Sequence, residues 1–149
     1  MAGPPPPPGF FAGFAGLWLA ITSLLWVFSG WASLQQRWPD RDELPTERLR
    51  WQSGQLGGGS LYNPWGNVAF NNCLRLDVCP SGLRVRVWRI FGLFSRPFFV
   101  PWPDIAVEEA RFLCWRMVRL RFADSGRALT IRRAVFDRIA AHSPLGLPA

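Results

Sequence analysis

The pattern of hydrophobic and polar positions changes abruptly near residue 36. Residues 1–36 contain no charged side chain, and the stretch from Phe10 to Trp31 reads "FFAGFAGLWLAITSLLWVFSGW". As a helix, this stretch would rise roughly 33 Å, which is enough to cross a hydrocarbon core of about 30 Å. Aromatic residues stand at both ends, where membrane helices place them. The pattern therefore predicts a transmembrane helix over residues 10–31.

Two other interpretations of this stretch stay open. Gly30-Trp31-Ala32 puts small residues at the two positions that determine signal-peptide cleavage, so the chain could be a small secreted domain after processing. Against this, a signal peptide has a positively charged start and an apolar run of only about 7–15 residues. The third interpretation, a helix buried in a soluble core, requires more surrounding chain than the following domain supplies.

The segments on either side of the predicted helix show no regular alternation of hydrophobic and polar residues. Residues 1–9, with "GPPPPPG", predict a disordered Pro-rich tail. Residues 32–60 are polar and end in Gly-Gly-Gly-Ser, which predicts a juxtamembrane linker. No Gly-Lys-Ser/Thr follows these glycines, so they do not form a phosphate-binding loop. The remaining bounds are a domain over 61–143 and a tail over 144–149.

Within the domain, apolar and polar positions alternate with the period of a strand. In "LRVRVWRI" Leu83, Val85 and Val87 share one face, and arginines share the other. Pro101 restricts its strand to an edge or a bulge. The predicted strands are 73–79, 83–90, 98–102, 104–112, 115–122 and 128–132.

The last segment of the domain changes to the period of a helix. Val135, Phe136, Ile139 and Ala140 fall at helical spacing in residues 133–142, and a proline follows. An antiparallel meander that precedes one closing helix predicts an α+β fold. In it a bent sheet or partly open barrel is closed by the C-terminal helix.

Two resemblances extend this picture. "VPWPDI" (100–105) resembles the step that begins a strand in many bacterial PH-like and GRAM-like domains, a likeness that spans roughly residues 70–142. From Gly30 onward the chain is similar to a group of small bacterial single-pass membrane proteins. The segments that carry this likeness are Gly30-Trp31…Leu34, Asn72-Cys73-Leu74, Gly82-Leu83 and Pro97–Trp102. The resemblance implies a PH-like domain behind one membrane helix, and it implies no activity.

Charge is distributed unevenly along the chain. All seventeen basic residues are arginine, and the formal net charge of +7 lies in residues 81–149. Four arginines, Arg37, Arg41, Arg48 and Arg50, follow the apolar stretch closely. The positive-inside rule therefore predicts a bacterial inner-membrane protein with its N-terminus outside and its domain in the cytoplasm.

Two surfaces are candidates for binding. Arg84, Arg86, Arg119 and Arg121 are predicted to project from the sheet face opposite the core, where each charge near an anionic leaflet contributes about 1 kcal/mol of attraction. A solvated face without a ligand explains the same pattern. Membrane anchoring disfavours nucleic acid as a partner.

The second surface lies in "LFSRPFFVPWPDI" (93–105) and the residues before it. Phe99, Val100 and Ile105 are predicted to be core. Large aromatic residues are mostly buried, which favours burial of most of this segment. Phe91, Phe94 and Trp102 are the candidates for exposure, and an exposed patch of them would suit contact with membrane or protein.

The residue inventory disfavours catalysis. The only histidine, His142, follows the closing helix, and no acidic or cysteine spacing fits a metal site, so no enzyme activity, cofactor or metal is predicted. Cys73 and Cys79 are six residues apart in one strand, about 20 Å, too far for a disulfide. All three cysteines are interpreted as small buried hydrophobes.

These observations favour a membrane-tethered, non-enzymatic interaction or adaptor module with an unidentified protein partner. The alternatives are a domain that binds anionic lipid headgroups through the arginine face, and a secreted domain released by signal cleavage.

Overall fold

The computed structural model describes residues 3–59 and 66–145. Three parts of the predicted segments lie outside this description. They are the first two residues of the N-terminal tail, the junction 60–65 between linker and domain, and the last four residues of the C-terminal tail. The helices are α1 Phe10–Phe28, α2 Trp31–Arg37 and α3 Arg133–Ala141. The strands are β1 Glu47–Gly57, β2 Asn67–Val78, β3 Gly82–Val87, β4 Phe98–Pro101, β5 Ile105–Phe112, β6 Trp115–Phe122 and β7 Ala128–Arg132.

The seven strands form one curled antiparallel sheet in the order β4-β3-β2-β1-β7-β6-β5. The predicted α+β arrangement, an apolar helix followed by a curled sheet and a C-terminal helix, is confirmed. The predicted bounds of β6 and β7 agree with the structure, and α3 ends one residue earlier than predicted. β4 is an edge strand, in agreement with its terminal proline.

The apolar N-terminal segment is two helices rather than one. Ser29 and Gly30 separate α1 from α2, and Gly30 has a φ of 71°, which favours glycine. A Cβ at this position would lie 2.5 Å from Nε of Arg127. α1 is long and apolar enough to span a membrane, properties that it shares with signal sequences. Only 6% of its most apolar window is buried, so the interpretation as a helix inside a soluble core is wrong.

The predicted linker over residues 32–60 is wrong, because this segment supplies essential parts of the fold. It contains nearly all of α2 and the whole of β1. Trp31 and Leu34 of α2 are fully buried, and Trp31 packs edge-on against Phe98 with ring centroids 4.9 Å apart. The Trp31 indole N–H also donates to the carbonyl of Arg96 at 2.7 Å. The helix–sheet core therefore begins at residue 31.

The sequence does not predict β1 because the alternation of apolar and polar residues in this strand is interrupted. Its register against β2 shifts between Leu49 and Gln52, and again before Gly54. Trp51, between these shifts, has a φ of 59° and is exposed. A bulge of this kind bends a strand and reverses the faces of the side chains on its two sides. The bulge therefore helps to curl the sheet.

Residues 39–46, which we call the strap, cross the outer face of β3 and β4. Pro39 forms an isolated bridge with Phe98, and the Thr46 amide donates to the carbonyl of Val78 at 2.7 Å. Phe99 points outward from β4 and is nevertheless buried, with the Arg41 guanidinium 5.3 Å from its ring centroid. The strap therefore gives this part of the sheet a covered second face.

Candidate functional site

The exposed aromatic residues of the domain are concentrated around the loop between β3 and β4. This aromatic surface comprises Trp51, Trp88, Ile90, Phe91, Leu93 and Phe94, each between 42% and 58% exposed. The loop is folded on itself, because Phe91 donates its amide to the carbonyl of Trp88 and Ser95 to that of Gly92. Phe91 and Phe94, two of the three candidates for exposure, are exposed.

A continuous series of ring contacts joins this surface to α1. Trp51 meets Trp88 at 4.8 Å between centroids, Trp88 meets Phe91 at 6.0 Å, and Phe91 meets Trp18 of α1 at 5.9 Å. Trp18 lies ten residues before Phe28, which is about 15 Å along a helix axis. The loop thus reaches to the middle of the apolar helix.

α1 uses one face for this contact and leaves the others open. The less exposed positions of α1 are Trp18, Thr22, Ser23 and Trp26, and Ser29 follows at its C-terminal end. All of them except Ser23 follow the spacing of one helical face. The Thr22 hydroxyl donates to the carbonyl of Trp18 at 2.9 Å, so this polar group is satisfied within the helix. The remaining face is apolar and exposed, and its larger residues include Phe11, Phe14, Leu17, Ile21, Leu24 and Phe28.

Trp102, the third candidate for exposure, is buried, with only 6% of its surface accessible. It begins a short 3-10 turn between β4 and β5, and its indole N–H donates to the carbonyl of Pro80 at 3.1 Å. Phe99, Val100 and Ile105 are buried, as predicted. The aromatic-rich segment is therefore divided between core and surface at the start of β4.

Beside Trp51 and Trp88 lies an open cleft of about 370 Å³, lined by residues of β1, β2 and β3 and of the loop that follows β3. Four arginines line it, and its lining contains no carboxylate; we call it the arginine cleft. The arginines are Arg50, Arg75, Arg86 and Arg89. Within the described part of the chain, Arg50 and Arg89 belong to no ion pair. The cleft is thus a concentration of positive charge with an aromatic rim.

Two acids, the buried Asp77 and the exposed Asp40, lie beside two of these arginines. Asp77 is 1% exposed and accepts from Nε of Arg75 at 2.9 Å, while Nε of Arg86 lies 3.6 Å from it. Asp40 of the strap lies 3.8 Å from Arg86. Both carboxylates also pair with Arg84, so two negative charges are shared among three arginines.

The four arginines predicted as one face do not come together. Arg84 is 4% exposed beneath the strap, where Nε donates to Asp40 at 2.5 Å and Nη2 donates to the backbone carbonyls of Arg41 and Glu43. Burial opposes its charge, but the hydrogen bond and charge of Asp40 raise the pKa of Arg84. The prediction of Arg84 as an exposed ligand contact is wrong, because the strap covers it.

Arg119 and Arg121 lie on β6, which three strands separate from β3. Arg119 donates to the carbonyl of Gly59 at 2.9 Å, and Arg121 donates to Glu108 at 2.7 Å. The bond to Glu108 raises the pKa of Arg121. Of the predicted four, only Arg86 lines the arginine cleft.

Sequence reasoning missed most of the cleft. Arg75 alternates with Leu74 and Leu76 in β2, which is a signal for the outer face, but nothing local indicates its partner strands. Trp51 enters the site only through the bulge in β1. Trp88 and Arg89 were predicted to belong to β3, which ends at Val87, so they start the loop instead.

A second apolar surface is the tip of the β5–β6 hairpin. Phe112, Leu113 and Trp115 are exposed there, and the Arg132 guanidinium lies 5.0 Å from a Trp115 ring centroid. Cys114 of the same tip is exposed, so its interpretation as a buried hydrophobe is wrong. Cys73 and Cys79 are buried and unbridged, and burial raises the pKa of both thiols.

The candidate site consists of arginine side chains beside exposed apolar side chains. Across residues 3–59 and 66–145, no group of three or more His, Cys, Asp or Glu residues is placed to hold a metal ion. His142 contacts Glu47 at 2.8 Å, at the far end of β1 from Gly57. Comparisons with protein-family models, with curated proteins and with solved structures find no match to this chain.

Proposed function

We propose that this protein is a membrane-tethered, non-enzymatic interaction module whose aromatic surface is inserted in the bilayer. In this proposal α1 is the anchor, the domain is PH-like and cytoplasmic, and the aromatic surface is its contact with lipid. The observation that carries the proposal is the series of ring contacts from Trp18 to Trp51. It makes the apolar surface of the helix continuous with that of the domain.

The depth of the loop supports bilayer contact over contact with a soluble protein. Phe91 meets α1 about 15 Å from the end of the helix, so an α1 that crosses the bilayer brings Phe91 and its neighbours into the lipid. Trp, Phe, Leu and Ile are the residues that interfacial segments bury at the boundary of headgroups and acyl chains. Without a bilayer or a partner, the aromatic surface and the exposed face of α1 would both be in contact with water, which is unfavourable for apolar surface.

Burial of Trp31 supports retention of α1 over signal cleavage. Cleavage after Ala32 would remove an indole that is fully buried and hydrogen-bonded to Arg96. Arg37, Arg41, Arg48 and Arg50 follow the helix, which supports a cytoplasmic domain by the positive-inside rule. The hairpin tip around Leu113 is the surface left for a protein partner.

Electron paramagnetic resonance tests the proposal on the full chain in vesicles of zwitterionic lipid. In a Cys114→Ser background, a spin label is placed by Leu93→Cys on the aromatic surface, or by Ala141→Cys on α3. Both positions are exposed, and the buried Cys73 and Cys79 do not compete for the label. We expect the label at 93 to be more accessible to oxygen than to a water-soluble nickel complex. The label at 141 should show the reverse.

The control separates membrane contact from simple burial, because a buried label is inaccessible to both reagents. A label at 93 that the nickel complex reaches as readily as it reaches 141 contradicts the proposal. The arginine cleft plays no part in this measurement, since the lipid carries no net charge.

A further inference from the structure

The arginine cleft has the composition of a phosphate site. Guanidinium groups bind phosphate oxygens through paired hydrogen bonds, and four of them surround a space of about 370 Å³. The two exposed members, Arg50 and Arg89, have no ion-pair partner among the described residues. Arg75 donates a hydrogen bond to the almost wholly buried Asp77, and Nε of Arg86 lies 3.6 Å from the same carboxyl group. The cleft therefore presents preorganised donors and an excess of positive charge.

The position of the cleft specifies where the phosphate comes from. Its rim consists of Trp51 and Trp88, and the ring series continues from Trp88 through Phe91 to α1. A ligand seated on the arginines thus has an apolar path beside it that leads to the anchor helix. An amphiphile matches this arrangement, with its phosphate on the arginines and its acyl chains along Trp88 and Phe91.

We infer that the arginine cleft binds the headgroup of an anionic phospholipid that carries a phosphate monoester. A monoester has up to two negative charges and three terminal oxygens, so it satisfies several guanidinium groups at once. A phosphodiester headgroup offers one charge and two such oxygens and is the weaker ligand. This inference rests on the proposed function, because it assumes that the aromatic surface lies against the bilayer.

Isothermal titration calorimetry on the full chain in a non-ionic detergent tests this inference. The titrants are short-chain phosphatidic acid, short-chain phosphatidylglycerol and sn-glycerol 3-phosphate. We expect saturable binding of phosphatidic acid and binding of phosphatidylglycerol that is about tenfold weaker. The double variant Arg50→Gln with Arg89→Gln should bind phosphatidic acid about tenfold more weakly or worse. Each substitution removes a charge-assisted hydrogen bond to the phosphate, and such bonds contribute strongly to the binding free energy.

The matched control is Arg116→Gln with Arg121→Gln, which removes two exposed charges from β6 and leaves the cleft intact. It should bind phosphatidic acid within about twofold of the wild-type chain, since distant surface charges are screened. Equal losses in the two double variants would mean non-specific attraction and would overturn the inference.

The remaining titrant identifies the source of the phosphate. Binding of sn-glycerol 3-phosphate as tight as that of phosphatidic acid would overturn the assignment to a lipid. Loss of headgroup binding leaves the spin-label result untouched, because that measurement uses zwitterionic lipid. A failure of the inference and a failure of the proposed function are therefore distinguishable.

Discussion

Arg84 and Arg121 show how the surroundings of one residue type determine its role. The alternation of β3 correctly places Leu83 and Val85 in the core and Arg84 on the opposite face. It carries no information about whether another segment covers that face. Asp40 and the carbonyls of Arg41 and Glu43 cover Arg84, whereas Arg121 stays in solvent beside Glu108. Long-range packing alone separates a structural arginine from an exposed one.

At the scale of the residue, we expect Arg84→Met to lower the free energy of unfolding by about 3 kcal/mol. The substitution removes the charge-assisted hydrogen bonds to Asp40 and to the strap carbonyls of Arg41 and Glu43, whereas Asp77 keeps its other partners. Arg121→Met, which removes an equal charge from an exposed pair, should leave stability close to the wild-type value. Urea unfolding followed by tryptophan fluorescence measures both, and equal effects would contradict the role assigned to Arg84.

At the scale of the element, the success of sequence reasoning depends on how regular each strand is. β6, β7 and α3 keep one period throughout and pair with near neighbours in the chain, so their bounds follow from the pattern. β1 is bulged at Trp51, so its pattern predicts a linker instead of a strand. Gly30 separates α2 from α1, but the apolar sequence continues across it and predicts one longer helix. The strap has no periodic structure and is defined only by what it covers.

The strap gives a prediction for acid conditions. The carboxylate of Glu43 accepts hydrogen bonds from the backbone and the hydroxyl of Ser81, and these bonds lower the pKa of Glu43 below its ordinary value of 4.5. A lowered pKa in the folded state means that the stabilisation is present above about pH 4.5. It is lost as the pH falls through the lower value.

We therefore expect Glu43→Gln to be less stable than the wild-type chain at pH 7. The difference should shrink as the pH falls below about 4.5. Urea unfolding at a series of pH values measures the difference. Ser81→Ala removes the hydroxyl donor and keeps the backbone N–H bond to Glu43, so it should show a smaller pH dependence of the same sign. A difference that is constant from pH 7 to pH 3 would show that Glu43 acts through packing instead.

Considered over the full chain, the apolar N-terminal segment and the sheet are packed together. α2 contributes Trp31 and Leu34 to the core, although the sequence places them at the end of an apolar run and in a polar segment. A soluble fragment that begins at residue 57 lacks α2, the strap and nearly all of β1. The predicted division into anchor, linker and domain fails because it was based on amino-acid composition. Composition indicates whether a segment prefers water or an apolar environment, and it does not indicate which segments pack together.

Two shortened chains test this unity. A chain that begins at Ser29 keeps Trp31, whereas one that begins at Ser33 corresponds to cleavage after Ala32. Loss of a buried tryptophan side chain costs about 3–5 kcal/mol, so the shorter chain should be less stable by about that amount or fail to fold. Thermal unfolding compares the two. Equal stability would remove the structural objection to signal cleavage.

The two-residue connection at Ser29 and Gly30 determines how the domain moves. A long flexible linker would let a tethered domain tumble independently, whereas here the turn is packed against Arg127 and α2 is fixed in the core. With α1 in a bilayer, rotation of the domain is coupled to the tilt of the helix. Partners diffusing in the same membrane would then meet the Leu113 tip in a narrow range of orientations, which reduces the rotational freedom lost on association.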